Sequence, residues 1–114
     1  MRYLLFITVF VLNIYANELI VTVIYENDGA HKIEKVKYTN GETALDVLKK
    51  VSEVQSYNLG KYKFVSSIDG KKSIKGRYGW FYTIDGKDVN QTASTNKLND
   101  NKTMQWVYKR EACN

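Results

Sequence analysis

The chain has 114 residues, with 17 Lys and Arg against 12 Asp and Glu, a net charge of +5, one cysteine, one histidine and no proline. A single cysteine and a single histidine exclude a disulfide-stapled scaffold and a zinc site of ordinary ligand composition. The positive surplus is scattered over Lys49-Lys50, Lys71-Lys72 and Lys109-Arg110. It forms neither a basic stripe nor a recognisable module, so no nucleic-acid partner is expected.

Met1-Arg2 is a short basic start, Tyr3 to Val11 is almost wholly apolar, and Asn13-Ile14-Tyr15-Ala16 ends on a small residue. That layout predicts a secretory signal peptide over 1–16, cut after Ala16. The apolar run is too short for a comfortable membrane span, which needs about 20 residues. Residues 17–114 are then one small domain, secreted or periplasmic, with no membrane contact after cleavage. Cys113, next to last, is expected to be a bystander in a frayed tail.

Leu19 to Tyr25 predicts a strand that is apolar on both faces, hence a central one. Glu26-Asn27-Asp28-Gly29 is a turn cluster, and Ile33 to Tyr38 a second strand in hairpin with the first. Asn40-Gly41 breaks the strand. Thr43 can then cap a helix, with Asp46 three residues on, and Ala44, Val47, Leu48, Val51 and Val54 make an apolar stripe. This helix is expected to end near Gln55, before a break over Ser56 to Gly60.

Lys61 to Ile68 alternates as a strand and turns at Asp69-Gly70. Arg77 to Ile84 is an aromatic strand that turns at Asp85-Gly86. Ile-Asp-Gly-Lys thus occurs twice, best read as two turns solved by the same local chemistry. Asn90 to Asn101 is a polar loop pinned by Leu98, and Thr103 to Lys109 is the last strand, with Met104, Trp106 and Tyr108 on one face. The order predicts an α+β fold, one helix packed on a mostly antiparallel sheet, in a β-grasp-like arrangement.

No catalytic set emerges. His31 has no cysteine or second histidine to work with, and Asp69 and Asp85 have turn roles beside glycine. No catalytic residue, metal ligand or resident cofactor is therefore expected. The aromatics remain. Tyr78, Trp80 and Tyr82 share one face of their strand, with Phe81 on the other. They can serve a core or a platform for a flat ligand. For Trp106 the core reading is favoured.

Four stretches carry a family resemblance. Gly41-Glu42-Thr43-Ala44-Leu45-Asp46-Val47-Leu48 opens the helix, and Tyr62 to Gly70 ends a strand on a Val-x-Ser-Ile-x-Gly-like pattern. Gly79-Trp80-Phe81-Tyr82-Thr83-Ile84-Asp85-Gly86-Lys87 is similar to a Gly-Trp-x-Tyr-x-x-Asn-Gly core, and Lys97 to Asn101 with Gln105-Trp106 to its ending. Together they resemble the transcobalamin-like C-terminal domain, a family of small exported domains. The resemblance implies a non-catalytic binding module in which Gly79, Trp80 and Tyr82 meet a ligand such as a cobalamin-like compound. The Thr92 to Asn96 loop, with Ser94 and Asn96, would lie beside them. Tyr78 joins the candidate set from the shared strand face. The alternative is a protein–protein interaction or surface assembly domain without a small ligand.

Overall fold

A computed structural model describes residues 17–26 and 29–110. The expected signal peptide, the Asn27-Asp28 part of the first turn and Cys113 lie outside the described residues. Nine elements follow in order: β1 (Asn17–Ile24), β2 (His31–Tyr38), α1 (Ala44–Val51), β3 (Val54–Leu59), β4 (Tyr62–Ile68), β5 (Lys71–Lys72), β6 (Tyr78–Ile84), β7 (Lys87–Asp88) and β8 (Thr103–Arg110). The class is α+β, with one helix among the described residues.

The strands form two sheets where the sequence suggests one. The larger has the order β2-β1-β8-β6-β7, the smaller β3-β4-β5. All pairings are antiparallel except β1 with β8, which run parallel from Ile20↔Thr103 to Ile24↔Val107. β1 is central, as its two apolar faces suggest. Its inward row of Leu19, Val21 and Val23 is fully buried, in line with Met104, Trp106 and Tyr108 of β8 and with Trp80 and Ile84 of β6. Each such side chain contributes on the order of 1.5–3 kcal/mol by leaving water.

The helix lays Ala44, Leu45, Val47 and Leu48 into this core. Eight residues are too few to hold a helix in isolation, so its ends need partners. At its start Thr43 and Asp46 close a complete capping box, with Asp46 N–H to Thr43 Oγ1 at 3.1 Å and Thr43 N–H to Asp46 Oδ2 at 3.2 Å. The free amides of Ala44 and Leu45 donate to the carbonyls of Asn96 (2.9 Å) and Ala93 (3.0 Å). The polar loop after β7 is thus held against the helix start, with Ala93 and Leu98 buried as its anchors.

The helix stops at Val51, four residues short of Gln55, and the stretch expected to be a break is strand β3. Asp69 supplies the physical reason. Its carboxylate accepts from Ser52 Oγ (2.9 Å) and Glu53 N–H (2.9 Å), and its own N–H donates to Glu53 O (2.7 Å). These bonds draw Ser52 into an extended conformation (φ −144°) and start a new ladder, in which Val54 faces Ile68.

Both Ile-Asp-Gly-Lys copies are two-residue hairpin turns with positive φ at each central residue: 51° and 88° at Asp69-Gly70, 52° and 79° at Asp85-Gly86. That is the mirror-image turn which fits the strand twist and favours Asp-Gly. Each aspartate also bonds across to another element. Asp85 accepts from the N–H groups of Lys102 (2.8 Å) and Thr103 (3.0 Å) and from Asn101 Nδ2 (2.9 Å), which sets the start of β8.

Candidate functional site

Along β6 successive side chains alternate between the faces of the sheet, so that Trp80 and Tyr82 point inward and Phe81 outward. Trp80 is only 9 % exposed. Its indole Nε1 donates to Lys71 O at 2.9 Å, Tyr25 meets it edge-on at 6.1 Å, and Tyr108 lies tilted at 5.2 Å. The ring is therefore built into the core, with its polar handle satisfied. Tyr82 is half-buried and stacks on Trp106 at 4.7 Å, with planes 14° apart. Its hydroxyl donates to Gln91 O (2.8 Å) and accepts from Asn96 Nδ2 (3.3 Å). Burial raises its pKa against the opposing effect of Asn96, so the phenol stays neutral.

Beside these rings lies an open groove of about 820 Å³ between the two sheets. β6 forms one wall, with Gly79 to Thr83. Lys63, Phe64 and Val65 of β4 form another, and the segment from Asp88 to Ala93 closes the end. Trp106 lines it as well, and its buried indole Nε1 has no hydrogen-bond partner among the described residues. An unmet buried donor costs about 1–3 kcal/mol, so a polar acceptor that reached it would be favoured. The cations at the groove are Lys63, Lys109 and Arg110, and its one acid is Asp88.

Of the residues expected from the sequence, Gly79, Trp80 and Tyr82 come together at this groove. Tyr78 stands apart, stacked on Tyr108 at 5.4 Å beside a second, smaller depression shared with Tyr25. Ser94 and Asn96 sit behind the wall rather than on it. Ser94 Oγ donates to Lys63 O (3.3 Å) and Asn96 reaches Tyr82, so both brace the groove. Sequence reasoning missed the β4 wall and the part that Trp106 plays beneath the groove. Nothing local marks Lys63 to Val65, since only the tertiary fold brings that edge to β6.

Asp69 and Asp85 offer little acid–base chemistry at neutral pH. Burial would raise Asp69, but bonds from Tyr25, Glu53, Lys32 and Ser52 outweigh it and hold the group down to about 2. At Asp85, burial is likewise outweighed by Asn101, Lys102 and Thr103, and the pKa is lowered. Both are ionised and spent on structural partners. His31 is exposed, with Nδ1 3.2 Å from Gly29 O. Among the described residues no group of three or more His, Cys, Asp or Glu could hold a metal ion. No helix among them is long and apolar enough to cross a membrane. The groove offers ring faces, backbone groups and the cations Lys63, Lys109 and Arg110.

The chain belongs to the family described as Domain of unknown function (DUF4430), whose model matches residues 41–110. No curated protein matches it in sequence. Among solved structures it is similar to a protein from Ruminococcus gnavus ATCC 29149 described as a candidate metal-binding protein. That likeness has a TM-score of 0.61 at 18 % identity and covers 82 % of this chain and 99 % of that one. It is also similar to haptocorrin in complex with Cbi, with a TM-score of 0.69 at 15 % identity and 89 % of this chain covered. The chain spans 27 % of the length of haptocorrin. At such identities the likeness is one of fold, and it supports the transcobalamin-like relationship only at a distance.

Proposed function

We propose that this chain is an exported, non-catalytic binding module with a β-grasp-like fold, which takes a small ligand in the groove between its sheets. The observation that carries this reading is the groove itself, with the Tyr82–Trp106 stack beside it and the unpartnered Trp106 N–H. Ligand sites are concave and combine apolar and aromatic surface with polar groups that fix orientation, and this groove offers both. The fold shared with haptocorrin favours a cobalamin-like compound as the ligand. A central parallel pair flanked by antiparallel strands, with the helix after the first hairpin, supports the β-grasp description. The apolar start of the chain supports export.

The test is a titration of the purified protein with cobalamin and cobinamide, following tryptophan emission and confirmed by equilibrium dialysis. Both tryptophans line the groove, so binding should quench emission saturably, and Tyr82→Ala should weaken the response. If cobalamin, cobinamide and haem are all excluded from the dialysed protein, the small-ligand reading fails. A protein partner is the second reading, and the exposed Phe81 at the mouth of the groove favours it.

A further inference from the structure

Backbone hydrogen bonds along β6 alternate in direction. Asp85 N–H donates to Thr103 O (2.9 Å), continuing the register in which Gly79, Phe81 and Thr83 face Lys109, Val107 and Gln105. Tyr78 faces the other way, exchanging bonds with Ile74 at 2.8 and 2.9 Å. By the period of two, Trp80 and Tyr82 also turn their N–H and C=O groups away from β8. On that side Ile74 occupies the edge at Tyr78, and β7 occupies it at Thr83 and Ile84. Between them, among the described residues, no strand pairs with Trp80 or Tyr82 on the side away from β8.

The facing wall repeats the pattern. β3 covers one edge of β4 along its length, while on the other β5 pairs with Ser67 and Ile68 and Ser73 N–H donates to Ser66 O (2.8 Å). Lys63 turns its carbonyl to this second side, where Ser94 Oγ reaches it. Unpaired strand edges are templates for another chain, and proteins ordinarily cover or blunt them. Here the uncovered stretch of β6 lies along the groove, opposite β4.

We propose that the groove accepts an extended segment of another polypeptide, which adds as a strand to the Trp80–Tyr82 edge. Added strands gain affinity from main-chain bonds and specificity from alternate side chains. One row of the segment would meet Phe81, which is 39 % exposed with Lys109 Nζ 5.0 Å from its ring centroid. With Lys63 and Arg110 also lining the groove against Asp88 alone, the fitting sequence alternates apolar and acidic residues. This inference rests on the groove being the binding site, and not on the small ligand proposed for it.

The experiment uses amide hydrogen exchange and chemical shifts of the labelled protein, with an acetylated octapeptide alternating valine and glutamate as probe. In the free protein the Trp80 and Tyr82 amides should exchange much faster than those of Gly79 and Phe81. Saturating peptide should slow them and shift their resonances. A peptide alternating valine and lysine should bind several-fold more weakly, and one N-methylated at alternate residues should lose binding. Phe81→Ser should weaken binding without altering the fold, since Phe81 lies outside the core. Equal protection of all four amides in the free protein overturns the proposal, as does a glutamate peptide that leaves Trp80 and Tyr82 unshifted. If cobinamide binds where the peptide does not, only the strand-addition proposal falls. If neither binds, the binding-site reading falls with it.

Discussion

Replacing Asp69 by asparagine isolates one charge at the junction of the two sheets. The carboxylate accepts from Tyr25 OH, Ser52 Oγ and Glu53 N–H, and pairs with Lys32 Nζ at 3.0 Å. Lys32 in turn donates to Val51 O, the last carbonyl of the helix, at 2.5 Å. Asp69 therefore joins β1, β2, the helix end and the β4–β5 turn. Its pKa falls from 3.8 to about 2. At about 1.4 kcal/mol per unit the full shift corresponds to roughly 2.5 kcal/mol. The carboxylate remains partly solvated, and screening reduces this to about 1 kcal/mol. A depressed folded-state pKa contributes stability above the unfolded value near 4, which is lost as pH falls from about 4 to 2. Asparagine tolerates the positive φ of 51° at this position, so the substitution removes charge without adding backbone strain. Urea unfolding followed by tryptophan emission should place D69N below the parent by about 0.5–1 M at pH 7, taking a slope of roughly 1–2 kcal/mol per molar. The gap should narrow to about a third by pH 2.5 and close only below pH 2, where the folded-state carboxylate is itself protonated. A gap of equal size at both pH values, or none at pH 7, would refute the reasoning.

Two further predictions concern buried polar contacts and the helix start. Tyr38 is fully buried, and its hydroxyl donates to Asn101 O (2.9 Å) and accepts from Asn101 N–H (2.8 Å). Tyr38→Phe strands both backbone groups and should cost about 1–3 kcal/mol by urea unfolding with an unchanged circular dichroism spectrum; an unmoved midpoint would mean that water replaces the hydroxyl freely. Thr43→Ala removes half of the capping box and should cost about 1 kcal/mol. A loss below a few tenths would show that the Ala93 and Asn96 carbonyls alone hold the helix start.

What could be read from the sequence was whatever local chemistry decides. The two Asp-Gly turns, the Thr43–Asp46 cap, the central position of β1 and the anchoring by Leu98 all follow from neighbours a few residues apart. The helix end did not, because the stripe continues through Val54 and the residue that ends it, Asp69, is 16 positions beyond Glu53 in the chain. β3 was hidden for the same reason: Ser56-Tyr57-Asn58 resembles a turn until β4 is laid beside it. The site was legible in part. Gly79, Trp80 and Tyr82 were visible as an aromatic strand, but periodicity does not show which face is buried, and Trp80 proved to be packed between Tyr25 and Tyr108. Ser94 and Asn96 came from the resemblance, and their side chains brace the wall from behind.

The parallel pairing of β1 with β8 bears on how the domain would respond to force. Among the described residues the first and last strands lie side by side at the centre of the larger sheet, in register from Ile20↔Thr103 to Ile24↔Val107. A pull applied between Asn17 and Arg110 runs along both strands in opposite directions. It loads the inter-strand bonds together in shear, rather than one at a time as when a hairpin is peeled open. Until that clasp slips, the force would not reach the groove between the sheets as an opening motion. A domain tethered at both ends could therefore carry tension with its binding edge intact.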